Sequence, residues 1–288
     1  MTKNRKLIRG VSFAGRHLFL LALALFWLIP IVWLVGNSFS VYPGVHISRF
    51  FPEAFTLENY RLLLFGSGGD TVAQFPAWFR NTLIIAIFSC VIASMFVLMV
   101  SYAISRMRFK GRKVLMNIGV TLGLFPGFLS LIAVYFILKS FGLTNNHWGL
   151  ILIYSASSGL GYLIAKGFFD TISETLSESA RLEGASEAQI FWKIILPLSK
   201  PIIVYTIIST FLVPWMDFVA ARIILNTSPS SSWTVSIGLY NMLDRILIQH
   251  YFARFCAGGV LVSIPIAFLF VIMQKFYVEG ITGGSVKG

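Results

Sequence analysis

The chain has 288 residues, of which 57% are hydrophobic and only 12% charged, with a mean hydropathy of +0.80. A soluble domain carries about twice that charge, so the composition excludes a water-soluble globule and indicates an all-α, polytopic membrane protein. The net charge of +12 would suit nucleic acid, but the Lys and Arg residues cluster at the ends of apolar runs, which makes them a topology signal and an attraction to anionic lipid, with no nucleic-acid partner.

Residues 1–16 form a basic arm carrying Lys3, Arg5, Lys6, Arg9 and Arg16, and residues 17–37 an apolar span of the ~20 residues a bilayer requires. The span is long for a secretory h-region and no small-x-small site follows, so it is expected to be a retained first helix. Residues 38–80 are a mixed loop with Pro43, Pro52, Pro76 and a Gly66–Gly69 cluster, in which Thr56 to Tyr60 suggests a short surface helix. A core follows over 81–277. Its first span, 81–104, runs into Arg106, Arg108, Lys110, Arg112 and Lys113, five basic residues in eight.

The next span, about 114–138, carries Gly119, Gly123 and Gly127 at four-residue spacing, together with Pro126. That row exposes bare backbone on one helix face, suited either to close packing or to a hinge beside a pathway, and Pro126 should kink the helix. After a short turn at 139–147 comes a span at 148–168, then a polar segment at 171–201, and a further span at 201–225 containing Pro214 and Asp217. Asp217 is the one carboxylate expected within a span. Such a charge faces a pathway or partner, or else snorkels to the interface. A loop at 226–254 contains Ser230, Ser231, Ser232 and Trp233, a last span covers 255–277, and a glycine-rich tail occupies 278–288. Basic residues concentrate in the arm and the 106–113 loop, whereas the 38–80 loop has only Arg49, Arg61 and Arg80. Six spans with both termini cytoplasmic are therefore expected.

The 171–201 segment is the most informative. Thr175 and Glu178 read as a T-x-x-E capping box opening a helix near Leu176, Gly184 as its left-handed terminator, and Ser186 and Gln189 as a second box. Pro197 should break the second helix, and Pro201 suits the first turn of the span that follows. The product is a stiff cytoplasmic helix–turn–helix, thin at Ala180, Ala185 and Ala188, with Phe191 and Trp192 as apolar anchors and Ile194, Leu196 and Pro197 tying it to the next span.

The run resembles the coupling-loop signature of binding-protein-dependent ABC import permeases: Glu178, Ala180, Gly184, Ile194, Leu196 and Pro197 fall at its spacing, with Ser179 in place of its first Ala. Phe168-Phe169-Asp170, Pro214 to Phe218, Val235 to Tyr240 and the ending Val278 to Gly288 resemble the maltose-type carbohydrate branch. The resemblance implies the six-helix fold of a type I importer permease. It also implies a second, different permease, two ABC ATPase subunits, an extracytoplasmic solute-binding protein and an oligosaccharide cargo, in a bacterial cytoplasmic membrane. It assigns ATPase coupling to Glu178, Ala180, Gly184, Ala185, Phe191, Ile194, Leu196 and Pro197. Pathway or interface roles are expected of Asp217, Pro214, Pro126, Gly123 and Gly127, and contact with the binding protein of Ser230, Ser231, Ser232 and Trp233. In maltose-type systems the sugar contacts lie largely in the other permease, so the resemblance carries over no sugar-binding residue.

The sequence has no G-x-x-x-x-G-K-[ST] run, so ATP and Mg are expected on partner subunits and no cofactor in this chain. No His or Cys cluster suggests a metal, and Cys90 and Cys256 are expected to be small buried thiols. No constellation supports an enzyme. The alternative is an ion-coupled secondary sugar carrier, which usually shows an internal repeat and midplane polar clusters. Neither is seen, and neither a carrier nor a membrane scaffold needs the coupling signature.

Overall fold

The computed structural model describes the backbone of residues 2–45, 49–66, 74–124, 127–156 and 161–285, with side chains from residue 13 to 276 apart from 14 and 128 within those ranges. Every regular element among them is helical. Among the described residues, three helices are long and apolar enough to cross a membrane, or up to five if two bent pairs each count as one span, with a shorter apolar helix at Leu129–Ser140 besides. By packing, the chain divides into two units: residues 1–73 with 241–261, and 74–240 with 262–288.

In the first unit, α1 (Thr2–Ser38) extends the expected span without a break into the basic arm, and its apolar residues from Leu18 to Ile31 are exposed, as a lipid- or partner-facing helix requires. The chain turns back at Asn37–Ser40 onto α2 (Glu58–Phe65), the short helix expected near Tyr60. Asn59 holds this turn: it is buried, and its amide donates to the carbonyls of Ser38 at 3.0 Å and Ser40 at 2.8 Å. Ser38 Oγ also pairs with the Tyr60 hydroxyl at 2.7 Å. The expected loop at 226–254, whose residues up to Tyr240 belong to the second unit, is largely helical beyond Thr234. It contains α13 (Val235–Met242) and the start of α14 (Ile248–Ser285), which begins seven residues before the expected span and continues through most of the expected tail.

In the second unit, α3 (Phe75–Arg106) is the central post. It starts six residues earlier than expected, because Pro76 is tolerated in the first helical turn. Around it stand α6 (His147–Ala156), α7 (Gly161–Asp170) and α11 (Lys200–Met216). The expected 114–138 span is α4 (Arg112–Gly123) and α5 (Gly127–Ser140), and the kink assigned to Pro126 lies outside the described residues. Two apolar cores form. One, around Ile85, Leu150, Ile224 and Ile237, joins α3, α6 and α13 with α12 (Val219–Ile224). The other, around Leu98, Phe169, Ile190 and Ile195, joins α3, α7 and the 171–201 segment. Cys90 and Cys256 are both free and buried.

Candidate functional site: the helical elbow and its tie to the central post

The 171–201 segment folds as α8 (Glu174–Leu182), α9 (Glu187–Ile190), one π-helical turn at Phe191–Ile195 and α10 (Leu196–Leu198). The first expected cap does not form. The helix begins at Glu174, two residues early, with Ser173 as N-cap; the Ser173 hydroxyl meets Thr175 Oγ1 at 2.7 Å, and no side chain caps the backbone. Thr175 is thus inside the helix and cannot serve Glu178, which is exposed on its solvent side.

The terminator forms as expected. Gly184 has φ +86°, Ala185 N–H donates to the Ala180 carbonyl at 2.9 Å, and Gly184 N–H to Arg181 at 3.0 Å. This is the two-bond Schellman closure, which satisfies carbonyls the helix end would orphan. A Cβ on Gly184 would meet nothing within 4 Å, so the glycine leaves open backbone on the surface. The second capping box is complete: Gln189 N–H donates to Ser186 Oγ and Ser186 N–H to Gln189 Oε1. Pro197 lacks an N–H and its ring crowds the preceding carbonyls. The wider π turn before it relieves that crowding, and after Ser199 the chain bends by 87° into α11, with Pro201 in its first turn.

The segment is fastened to the ends of α3 and α7 by polar contacts that the sequence analysis did not identify. Glu187 accepts from the Tyr102 hydroxyl at 2.6 Å and from Arg181 Nε at 2.7 Å. The Arg181 guanidinium holds the Glu187 carboxyl below the usual carboxylate range against the opposing effect of burial, with Tyr102 assisting. Arg106 is buried and donates to the carbonyls of Phe169 and Ile172, both at 2.5 Å. Asp170 accepts from Ser105 Oγ at 2.6 Å and from Lys166 at 2.5 Å. These contacts explain Phe168-Phe169-Asp170: Phe169 is fully buried beneath α3, and its backbone and the next carboxylate receive that helix's last polar residues. A signal was present in the sequence, because Tyr102, Ser105 and Arg106 lie three and four apart at the end of an apolar span, on one helix face.

The structure brings Glu178, Ala180, Gly184, Ala185, Phe191, Ile194, Leu196 and Pro197 together on this elbow, with one correction. Phe191 is only 6% exposed and packs against Tyr102 with ring centroids 5.0 Å apart. It belongs to the inner seam, buried beside Ile190 and Ile195 in the core shared with α3 and α7. Trp192, at 52%, and Leu182, at 91%, are the outward apolar residues, and Leu182 was not anticipated. Gly184 and Ala185 border a groove of about 390 Å³ with Ala180, Gln189 and Lys193. Glu178 borders a larger basin of about 510 Å³ with Glu174, Arg108 and Arg181.

The other candidates lie elsewhere. Asp217 ends α11, and its Oδ1 accepts from Ala220 N–H at 3.0 Å, so it caps α12; its own carbonyl accepts from Ser236 Oγ at 2.8 Å. The fifth expected span is therefore interrupted at Asp217, where Pro214 lies buried one turn before the break. The glycine row does not act as one stripe. Gly119 receives the Tyr162 hydroxyl where a Cβ would stand, Gly127 has open space, and Gly123 is exposed. Ser230–Ser232 form one 3-10 turn whose carbonyls are committed inward, Ser230 accepting from Trp78 Nε1 at 2.6 Å, Ser231 from Asn81 at 2.8 Å, and Ser232 contacting His147 Nε2 at 2.8 Å. Trp233 stacks on Trp78 at 6.1 Å. Of the four, Ser231 alone is exposed. Gly238 lies where any side chain would enter the Trp78 ring, the physical reason for glycine within Val235–Tyr240.

The model of the family described as "Binding-protein-dependent transport system inner membrane component" matches residues 98–282, a stretch that contains the whole elbow. The chain belongs to this family. It is a multi-pass membrane permease subunit of a binding-protein-dependent ABC transport system, and the ion-coupled carrier alternative has no support. The permease is 34% identical to the galactooligosaccharides transport system permease GanQ of Bacillus subtilis, over 100% of both chains. It is 30% identical to the maltodextrin transport system permease MdxG of the same organism, over 99% of this chain and 100% of that one. Against the maltose/maltodextrin transport system permease MalG of Yersinia pestis it is again 30% identical, covering 95% and 93%. In fold it is similar to a chain in the crystal structure of a bacterial ABC transporter involved in the import of the acidic polysaccharide alginate, with TM-score 0.75, 22% identity, and 96% and 99% of the two chains covered.

Proposed function

We propose that this permease forms, with a second and different permease, the translocation pathway of an ATP-driven oligosaccharide importer in a bacterial cytoplasmic membrane. The full-length likeness to permeases named for galactooligosaccharides and maltodextrin supports a sugar cargo of that kind. In this reading the chain crosses the membrane six times with both termini cytoplasmic. The spans are α1, α3, α4 with α5, α6 with α7, α11 with α12, and α14. An external solute-binding protein delivers the sugar. Two ATPase subunits bind ATP and Mg, and this chain hydrolyses nothing itself.

Residues 178–201 are the coupling element. The observation that carries the assignment is the pairing of an open glycine backbone on the outer side of the elbow with a polar bolt on its inner side. An ATPase seated near Gly184 would move α8 and α9 as one piece, because the Schellman closure and the Ser186–Gln189 box rigidify them. The Tyr102–Glu187–Arg181 contacts would pass that movement to α3, and the Arg106 and Asp170 contacts would keep the end of α7 in register with it.

The test is reconstitution of this chain with its partner permease, ATPase and binding protein in vesicles. ATP-dependent uptake of a galacto- or maltooligosaccharide is expected. Uptake that persists without the ATPase, driven by an ion gradient, would overturn the proposal.

A further inference from the structure

Within the second unit, α3, α6, α7 and α11 enclose a cavity of about 180 Å³, well above the ~10–15 Å³ that admits one water and below the ~300 Å³ of a whole-ligand pocket. One face of α11 supplies much of its wall, because Tyr205, Thr206, Ser209, Thr210 and Val213 recur at helical spacing. Tyr154 of α6 closes one side. Gly161 of α7 opens the other, where a Cβ would meet only Val97, at 4.0 Å.

The hydrogen bonding of this wall is incomplete. Thr206 and Thr210 give their hydroxyl protons to carbonyls of their own helix, at 2.7 and 2.8 Å. The Tyr154 hydroxyl is buried, on a residue 5% exposed, and has no hydrogen-bond partner. The Asp217 carboxylate bears on it by charge and as a weak acceptor. Tyr205 and Ser209 also line the space and are half-buried, so their hydroxyls are reachable from it. A buried hydroxyl left unpaired at a cavity inside a membrane domain is costly unless a polar guest satisfies it. No charged side chain lines the space, which disfavours an ion or an acidic guest. The walls combine two tyrosine rings and the apolar faces of Val97, Ile164 and Val213 with hydroxyl donors and acceptors. A neutral sugar ring matches this lining, with C–H faces for the rings and hydroxyls for the hydroxyls.

We propose that this cavity is a subsite for one ring of a neutral oligosaccharide, read by the hydroxyls of Tyr154, Tyr205 and Ser209, so that this permease itself contacts its cargo. The inference rests on the oligosaccharide reading above and narrows it to uncharged sugars.

The test uses the complete importer. Ser209→Cys in a Cys90→Ala, Cys256→Ala background is labelled with a maleimide in detergent, alone, with a neutral galactotetraose, or with a uronic-acid tetrasaccharide of the same length. The galactotetraose should slow labelling about fivefold or more, and the uronate should leave it unchanged. Equal protection by both sugars, or by neither, would overturn the assignment. In vesicles, Gly161→Val and the pair Tyr154→Phe with Ser209→Ala should lower sugar uptake about tenfold while binding-protein-stimulated ATP hydrolysis persists. Wild-type uptake in both would refute the subsite while leaving the cargo reading intact. Absence of uptake of galacto- and maltooligosaccharides alike by the wild-type importer would instead sink the cargo reading and the subsite with it.

Discussion

Gly184→Asp separates the cost of a side chain to this fold from its cost to the proposed ATPase contact. At φ +86° a non-glycine residue pays about 1–2 kcal/mol of backbone strain. There is no steric cost to add, because a Cβ at this position meets nothing within 4 Å. A few kcal/mol decide the stability of most domains, yet the strain here falls on one surface turn whose two closing hydrogen bonds come from the backbone and survive the change. The chain should therefore insert and pair with its partner permease. Gly142 provides the control. It too has positive φ, +67°, and open space around its Cβ, so Gly142→Asp carries comparable strain far from the elbow. The assay is co-purification of the ATPase with a tagged permease pair, beside sugar uptake in the same cells. Gly184→Asp should lose bound ATPase and uptake, and Gly142→Asp should retain both. Full ATPase retention with normal uptake in Gly184→Asp would refute the coupling assignment, and equal losses in both variants would reduce the effect to backbone strain.

The bolt can be tested by pH. The Glu187 carboxyl is held below its ordinary value of 4.5, so its contribution to stability is fully present above that value and is lost as pH falls through the depressed folded-state value. Glu187→Gln should lower the melting temperature of the purified permease pair at pH 7, and the gap to wild type should close as pH falls below 4.5 and through the depressed value; a gap independent of pH would count against it. Asp217→Leu should impair transport, since removing an N-cap acceptor costs about 0.5–2 kcal/mol, whereas Asp217→Asn keeps Oδ1 and should transport normally; equal transport by both variants would show that the cap is dispensable. On the opposite end of the second unit, Ser231→Arg should weaken stimulation of ATP hydrolysis by the loaded binding protein without loss of assembly. Shortening Ser228–Ser232 is a poorer test, because it removes the carbonyls that hold Trp78 and Asn81, and normal stimulation in Ser231→Arg would argue against contact there.

The features legible in the sequence are those whose physics is local. Gly184, the Ser186–Gln189 box and Pro201 act within four residues of themselves, and each was placed correctly from its neighbours alone. Thr175 misled because Ser173 and Glu174 offer a competing helix start two residues earlier, and spacing cannot rank two hydroxyls so close together. The interruption at Asp217 was hidden because an apolar run continues on both sides of it, so hydropathy reads through a break that a side-chain cap and buried Pro214 create. Least visible were long-range pairings. Tyr102 meets Glu187 across 85 residues, and Phe191 is covered by the same Tyr102 ring. Neither follows from periodicity in a segment taken alone.

The 87° bend after Ser199 makes the elbow and α11 the two arms of a bell crank. A push along α9 is delivered almost square to the axis of α11, so it arrives as torque and not as a piston stroke. The long arm has 17 residues, about 25 Å at ~1.5 Å per residue. A rotation of about 5° at Ser199 therefore sweeps the far end sideways by about 2 Å, comparable to the helix shifts that re-form packed interfaces. Displacement along this arm grows with distance from the pivot: Tyr205 and Ser209 travel a fraction of it, and Asp217 nearly the whole. The geometry gears a small stroke at the elbow up toward the opposite end of the span.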